Sequence, residues 1–216
     1  MSQEALLNLF QIMCKASIET CKIFILTLLI GLPLGLLVSF GRMSKLKLIN
    51  WTIRFYLLIM RGTPLILQLF FFFYFPYFIF HSTLPRFWAA ILAMSINYAA
   101  YFAEIYRSGI ESMQKGQYEA ATVLGFSKGQ TFFKIILPQV VKRIMPPMGN
   151  EFMTLVKDTA LVSVIGVSEI YELATDTMSK SSSVLPLVMA GLFYLAMNGI
   201  VSKGCFIAEN KMSYYQ

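Results

Sequence analysis

The apolar residues of this chain are gathered into long blocks separated by polar stretches. Five blocks cover residues 23–40, 64–80, 87–106, 152–171 and 185–207, each near the roughly 20 residues that a helical span needs to cross a bilayer. The second is strongly aromatic and has an apolar lead-in from Phe55; the fourth is the least regular, because Lys157 and Asp158 interrupt its start. Gly31, Pro33 and Gly35 lie inside the first. They would break a soluble helix, whereas a membrane bundle admits kinks and close packing at such positions. Ahead of it, residues 6–18 place apolar side chains at helical spacing, with Glu4, Lys15 and Glu19 in or beside them. That is the pattern of a helix lying along the membrane surface. The whole predicts an all-α polytopic membrane protein with five transmembrane helices, forming a single domain over residues 1–216. No internal repeat or low-complexity linker interrupts it.

Composition narrows the class. With 57% hydrophobic and 13% charged residues, a soluble domain of this length would expose too much apolar surface to stay dispersed. The net charge of +7 invites a nucleic-acid partner, but the basic residues stand beside the spans rather than along one face, so no nucleic acid is expected. Arg42, Lys45, Lys47, Arg54 and Arg61 crowd the first connection with no acid among them, and Arg107, Lys115, Lys128, Lys134, Lys142 and Arg143 follow the third span. The segment between the second and third spans has only His81 and Arg86, and the last connection sets Glu172 and Asp176 against Lys180. The positive-inside rule puts the first and third connections in the cytoplasm, the N-terminus outside and the C-terminus inside; Lys15 and Lys22 fall on the outer side against the trend. Cys14, Cys21 and Cys205 form no CxxC pair and read as apolar filler. Glu4 near the start, with no basic n-region, argues for a first span that inserts without cleavage.

The connection at about residues 108–151 is long for a small membrane protein. It contains Tyr118-Glu119-Ala120-Ala121-Thr122-Val123-Leu124-Gly125, then Leu137-Pro138 and Pro146-Pro147. Glu119, Ala120 and Ala121 are good helix formers, and Gly125 stands where a C-terminal glycine stop would. A short helix at the membrane surface suits docking into a groove on a soluble partner; the plainer alternative is an amphipathic tether between spans. Residues 125–131 have glycines, a lysine and a threonine but not the spacing of a phosphate loop, in which Lys directly follows the second glycine. This chain is not expected to bind ATP.

Glu119-Ala120-Ala121, with Gly125 four residues after Ala121 and then Ile136-Leu137-Pro138 and Asn150, resembles the EAA loop of ABC-importer permeases. Arg61-Gly62-Thr63-Pro64-Leu65 and Lys157-Asp158-Thr159-Ala160-Leu161 narrow the resemblance to the polar amino-acid uptake (histidine/glutamine-type) permeases, over roughly residues 16–207. Ala160 departs from the pattern, which more often has serine there. The resemblance implies the type I ABC-importer permease fold and a coupling helix seated in a cleft of an ATPase subunit, which binds the ATP, so the permease itself carries no cofactor. Glu119 would pair with a basic group of that subunit, Ala120 and Ala121 would allow close approach, and Gly125 would turn the chain back to the membrane. It further implies a second permease copy or a sister permease, an extracytoplasmic substrate-binding protein, an amino-acid substrate, a place in the cell inner membrane and no covalent chemistry. Arg61 reads as a structural joint between spans, with no substrate role.

Polar residues inside the spans are costly in lipid and belong against the bundle interior or a cavity. Asn97, Tyr98 and Glu104 lie in the third span, and Asp158, Ser163 and Glu169 in the fourth. The plain role for any one of them is an interhelical hydrogen bond. Asn97, Tyr98 and Ser163 fall nearest mid-depth and suit either charged group of an amino acid, while Glu104 and Glu169 suit its ammonium. These five are the candidates for the substrate path. Two other function classes fit less well. A membrane-embedded enzyme would need a metal-ligand set or a nucleophile–base pair, and His81 is the only histidine. An ion-coupled secondary transporter is favoured by inverted repeats, against which stand five unequal spans and one large cytoplasmic loop.

Overall fold

The computed structural model describes residues 3–212, and every regular element among them is helical. Helix α1 (Gln3–Arg42) is one unbroken rod of 40 residues, about 60 Å at 1.5 Å per residue, twice the hydrocarbon thickness of a bilayer. The expected surface helix and first span are therefore one element. Nothing in residues 18–23 breaks helical geometry, and one face stays buried through the junction: Leu9, Met13, Thr20, Ile23 and Thr27. Glu19 and Lys22 pair at 2.7 Å on the exposed side.

The second block is also more than a span with a lead-in. Helix α2 (Lys47–Gly62) and helix α3 (Leu65–Phe80) meet at an angle of 111°. Pro64 forces the break, because the residue before a proline is driven out of helical geometry, and Thr63 is extended at φ −117°, ψ 147°. The chain then enters α4 (Arg86–Glu111), the central helix of the bundle, which packs on α1, α2 and α3. Its buried face is rich in small residues, Ala89, Ala90, Ala93, Ala99, Ala100 and Ala103, and such residues let helices approach closely in a membrane.

Beyond α4 come α5 (Lys115–Val123), a single turn α6 (Lys128–Gln130), a π-helical segment (Thr131–Ile136) and α7 (Leu137–Asp158). The wide π turns precede Pro138, whose ring needs room at the carbonyl four residues earlier and which has no N–H to donate. Pro146 and Pro147 lie inside α7. The long connection therefore ends near residue 136 rather than 151, and the fourth membrane segment begins well before Phe152. Prolines that punctuate a soluble chain are carried inside a helix here, as membrane bundles allow. Lys157 and Asp158 close α7 rather than interrupting a span: the chain tightens into a 3₁₀ segment (Thr159–Ile165) and reverses at Gly166, φ +71°. Helices α8 (Ile170–Ser181) and α9 (Leu185–Lys211) complete the fold.

Residues Leu6–Arg42 of α1 and Leu185–Lys211 of α9 are each long and apolar enough to cross a membrane, and the bent α2–α3 pair makes a third crossing if taken as one span. Helices α4 and α7 fill the other two of the five expected positions and contain more polar residues. They approach closely at Gly109, where a Cβ would lie 2.3 Å from Cγ2 of Ile144. Only glycine fits there.

Candidate functional site

Two sites emerge, at different levels of the molecule. The first is the α5 elbow. Gly125 adopts φ +78°, a conformation that costs other residues a Cβ clash. Its N–H donates to Thr122 O and that of Phe126 to Ala121 O, both at 3.0 Å, closing the helix with the paired bonds of a Schellman cap. A reciprocal capping box follows, Gln130 N–H to Ser127 Oγ at 3.3 Å and Ser127 N–H to Gln130 Oε1 at 2.9 Å. The elbow is tied to α7 by Gln139 Nε2 donating to Gln117 Oε1 at 3.0 Å, and the end of α4 by Arg143 Nη1 donating to Ser112 O at 2.8 Å. Of the four residues expected to couple, Glu119 and Ala120 face outward, whereas Ala121 is 1% exposed and packs inside its own chain. Beside Glu119 and Ala120 stand Val123 and Leu124, 87% and 73% exposed. An apolar surface of this kind next to a carboxylate is suited to a protein partner.

The second site is a polar cleft of about 180 Å³ where α2 breaks from α3, lined by Thr63, Leu65, Asn97, Tyr98, Tyr101, Glu151, Thr154 and Asp158. A broken helix leaves carbonyls without their usual partners, and here side chains supply them. Asn97 Nδ2 donates to Met60 O at 3.0 Å and to Gln68 Oε1 at 2.9 Å. Gln68 Nε2 donates to Met60 O, Thr63 O and Thr63 Oγ1 at 3.0, 3.2 and 2.8 Å. Across the cleft, the Tyr98 hydroxyl donates to Asp158 Oδ2 at 2.7 Å. Glu151 accepts no hydrogen bond and forms no ion pair among the described residues. With Asp158 it sets two carboxyl groups on the cleft wall, against a set of neutral hydroxyls and an amide.

The cleft unites two of the five substrate-path candidates, Asn97 and Tyr98. Glu104 lies apart, held by Arg107 at 2.6 Å, Arg42 at 3.8 Å and Arg61 at 3.9 Å. The Ser163 hydroxyl donates to Ala160 O at 2.7 Å and serves the 3₁₀ segment. Glu169 is fully buried, caps α8 by accepting from Glu172 N–H at 2.9 Å, and receives the Tyr194 hydroxyl. Sequence reasoning missed Glu151, Thr154 and Tyr101 as cleft residues and did not carry Asp158 into the candidate set. A signal existed: Glu151, Thr154 and Asp158 are spaced three and four apart, one face of a helix. It was hidden because the fourth span was started at Phe152.

Similarity to known proteins agrees with this architecture. Residues 31–203 match the family described as "Binding-protein-dependent transport system inner membrane component". The chain is 38% identical over 179 residues to the arginine transport system permease protein ArtQ of Bacillus subtilis, covering 82% of each chain. It is 35% identical over 199 residues to the L-cystine transport system permease protein TcyB of the same organism, covering 91% of this chain and 84% of the relative. A crystal structure of an amino acid ABC transporter with histidines superposes with a TM-score of 0.87 at 32% identity, covering 98% of this chain and 99% of that one. These relatives are permeases rather than enzymes, and the family works with an ATPase and a substrate-binding protein. The chain is thus a membrane-embedded member of the binding-protein-dependent transport system inner membrane component family.

Proposed function

We infer that this chain is the permease subunit of an ATP-driven importer of amino acids and that its cleft at the α2–α3 break is the point where the substrate rests in the membrane. The observation that carries this reading is the pair Glu151 and Asp158 on one face of α7, opposite Asn97 and Tyr98 of α4. An ammonium group cannot leave water without partners for its charge. Two carboxylates favour amino acids that bear a second cationic group. Some relatives have names in that class, arginine and L-cystine permeases among them, while others are named glutamine permeases.

In this reading two copies, or one copy and a sister permease, enclose the path, and an extracytoplasmic binding protein delivers the substrate. An ATPase subunit binds the ATP and docks on α5 through Glu119, Ala120, Val123 and Leu124. The basic residues between α1 and α3 and those around α5 set these segments in the cytoplasm, with the N-terminus outside and the C-terminus inside. Closure of the ATPase pair would push on α5 and rock the bundle between outward- and inward-open states.

The test is ATP hydrolysis by the complex of permease, ATPase and binding protein in proteoliposomes, measured across the amino acids. Stimulation by basic amino acids, lost in Glu151→Gln and Asp158→Asn, is expected. Indifference to every amino acid would overturn the reading.

A further inference from the structure

The cleft is rich in acceptors and almost empty of donors. Asn97 uses both amide hydrogens on Met60 O and Gln68 Oε1. The Tyr98 hydroxyl is committed to Asp158, that of Thr63 to Ile59 O and that of Thr154 to Asn150 O. Among the lining side chains only the Tyr101 hydroxyl remains, a single neutral donor, and the first N–H groups of α3 at Leu65 add a helix N-terminus but no full charge. An amino acid nevertheless brings an α-carboxylate into the membrane, and two carboxylates already face that space. A full positive charge balances it better than neutral donors can.

Arg61 stands at the rim. Its guanidinium lies over the Tyr101 ring, Cζ 5.5 Å from the centroid, and Tyr101 lines the cleft. Its one ion pair among the described residues is to Glu104 at 3.9 Å, the longest of the three that Glu104 makes, since Arg107 holds the same carboxylate at 2.6 Å and Arg42 at 3.8 Å. The Arg61 side chain is 45% exposed. Two carboxylates, Glu104 and the Glu111 that also holds Arg107, against three guanidiniums leave positive charge over, and the most loosely held of the three is the one beside the cleft. The planar fork of a guanidinium matches a carboxylate in a bidentate pair, and the aromatic face beneath keeps it flat.

We propose that Arg61 receives the α-carboxylate of the transported amino acid while Glu151 and Asp158 face its cationic groups. This rests on the reading of the cleft as the substrate site and adds a specificity-determining residue to it. The last turn of α2 thereby supplies one half of an amphoteric site and α7 the other. Amines without a carboxylate would be rejected.

Binding to the purified permease–ATPase complex in nanodiscs tests this with two probe pairs, L-arginine with agmatine and L-glutamine with 4-aminobutanamide, the second of each pair lacking the carboxylate. Wild type should prefer the amino acid in whichever pair binds. Arg61→Gln should weaken the amino acid by roughly tenfold or more, leave the decarboxylated partner unchanged, and so abolish the preference, while Arg61→Lys restores part of it. Equal weakening of both members of a pair would make Arg61 merely structural, and unchanged or tighter amino-acid binding would also overturn the proposal. Glu151→Gln and Asp158→Asn report on the cleft separately, since each should weaken both members alike. If those two variants change neither ligand, the cleft reading falls, whatever Arg61 does. Binding of neither pair by wild type would sink both.

Discussion

The hydroxyl of Tyr98 on α4 donates to Oδ2 of Asp158 at the end of α7, 2.7 Å apart and 60 positions distant in sequence. This bond crosses the cleft and fixes which oxygen of Asp158 is left for a ligand. Tyr98→Phe keeps the ring in its packing and removes only the bond. We expect a loss of about 1 kcal/mol in stability, or somewhat more because the acceptor is ionised, with a several-fold rise in KM for uptake and little change in assembly. Uptake kinetics in proteoliposomes, alongside thermal unfolding, check this, and an unaltered KM would detach Asp158 from the substrate.

Asn97 holds the broken helix together rather than standing free for a substrate. Asn97→Leu should therefore lower stability by roughly 1–3 kcal/mol, because Met60 O and Gln68 lose a buried partner, and should lower uptake as the cleft distorts. Ser163→Val removes only a bond back to its own turn, and should leave uptake per folded molecule near normal. A large uptake loss in the Ser163 variant at full stability would return that residue to the substrate path.

The contact of Gly109 with Ile144 has no room for a side chain. Gly109→Val should destabilise the permease by about 1–3 kcal/mol through overpacking, and the addition of Ile144→Ala should recover a good part of it. Thermal unfolding of the single and double variants measures the coupling; additive losses would contradict the close approach of α4 and α7.

On α5, Glu119→Lys and Leu124→Asp alter residues exposed on the permease surface. Each should leave folding and insertion within about 0.5 kcal/mol of wild type, yet weaken ATPase association, the first through charge reversal and the second by wetting an apolar contact. Co-purification is the readout. Normal recovery of the ATPase with both variants would reduce α5 to a tether.

Orientation can be read by labelling. In a background without Cys14, Cys21 and Cys205, Lys45→Cys should react only from the cytoplasm and Asp176→Cys only from outside. The reverse pattern would invert the topology.

Much of this architecture was legible because membrane helices declare themselves by apolar length. What was not legible came from rules learned on soluble chains. Pro138, Pro146 and Pro147 stand in the connection that the sequence reading ends near residue 151, and starting the fourth span at Phe152 excludes Glu151 from it by one residue. In the bundle those prolines are tolerated, and Glu151, Thr154 and Asp158 then share a face. The α2–α3 break was signalled by Thr63-Pro64, but the angle of 111° that opens the cleft depends on how both helices pack on α4, and local sequence does not encode that. Glu104 and Glu169 illustrate the opposite case. Each is an acid within an apolar segment, and each is already satisfied by neighbours, the arginines for one and Tyr194 and the α8 cap for the other. Gly125 was the most readable of all, since a glycine ending a short helix has few other uses.

Helix α7 links the two ends of this molecule, and the place where it meets α4 gives it unequal arms. From Leu137 near the docking elbow to Ile144 is seven residues, and from Ile144 to Asp158 is fourteen, roughly 10 Å and 20 Å of helix. Because glycine at position 109 removes any cushion at that contact, α4 offers a hard fulcrum. A rod tilting there carries Asp158 about twice as far as its docking end, and Glu151, seven residues from Ile144, about as far, so under the proposed docking a small stroke at the elbow is geared up at Asp158.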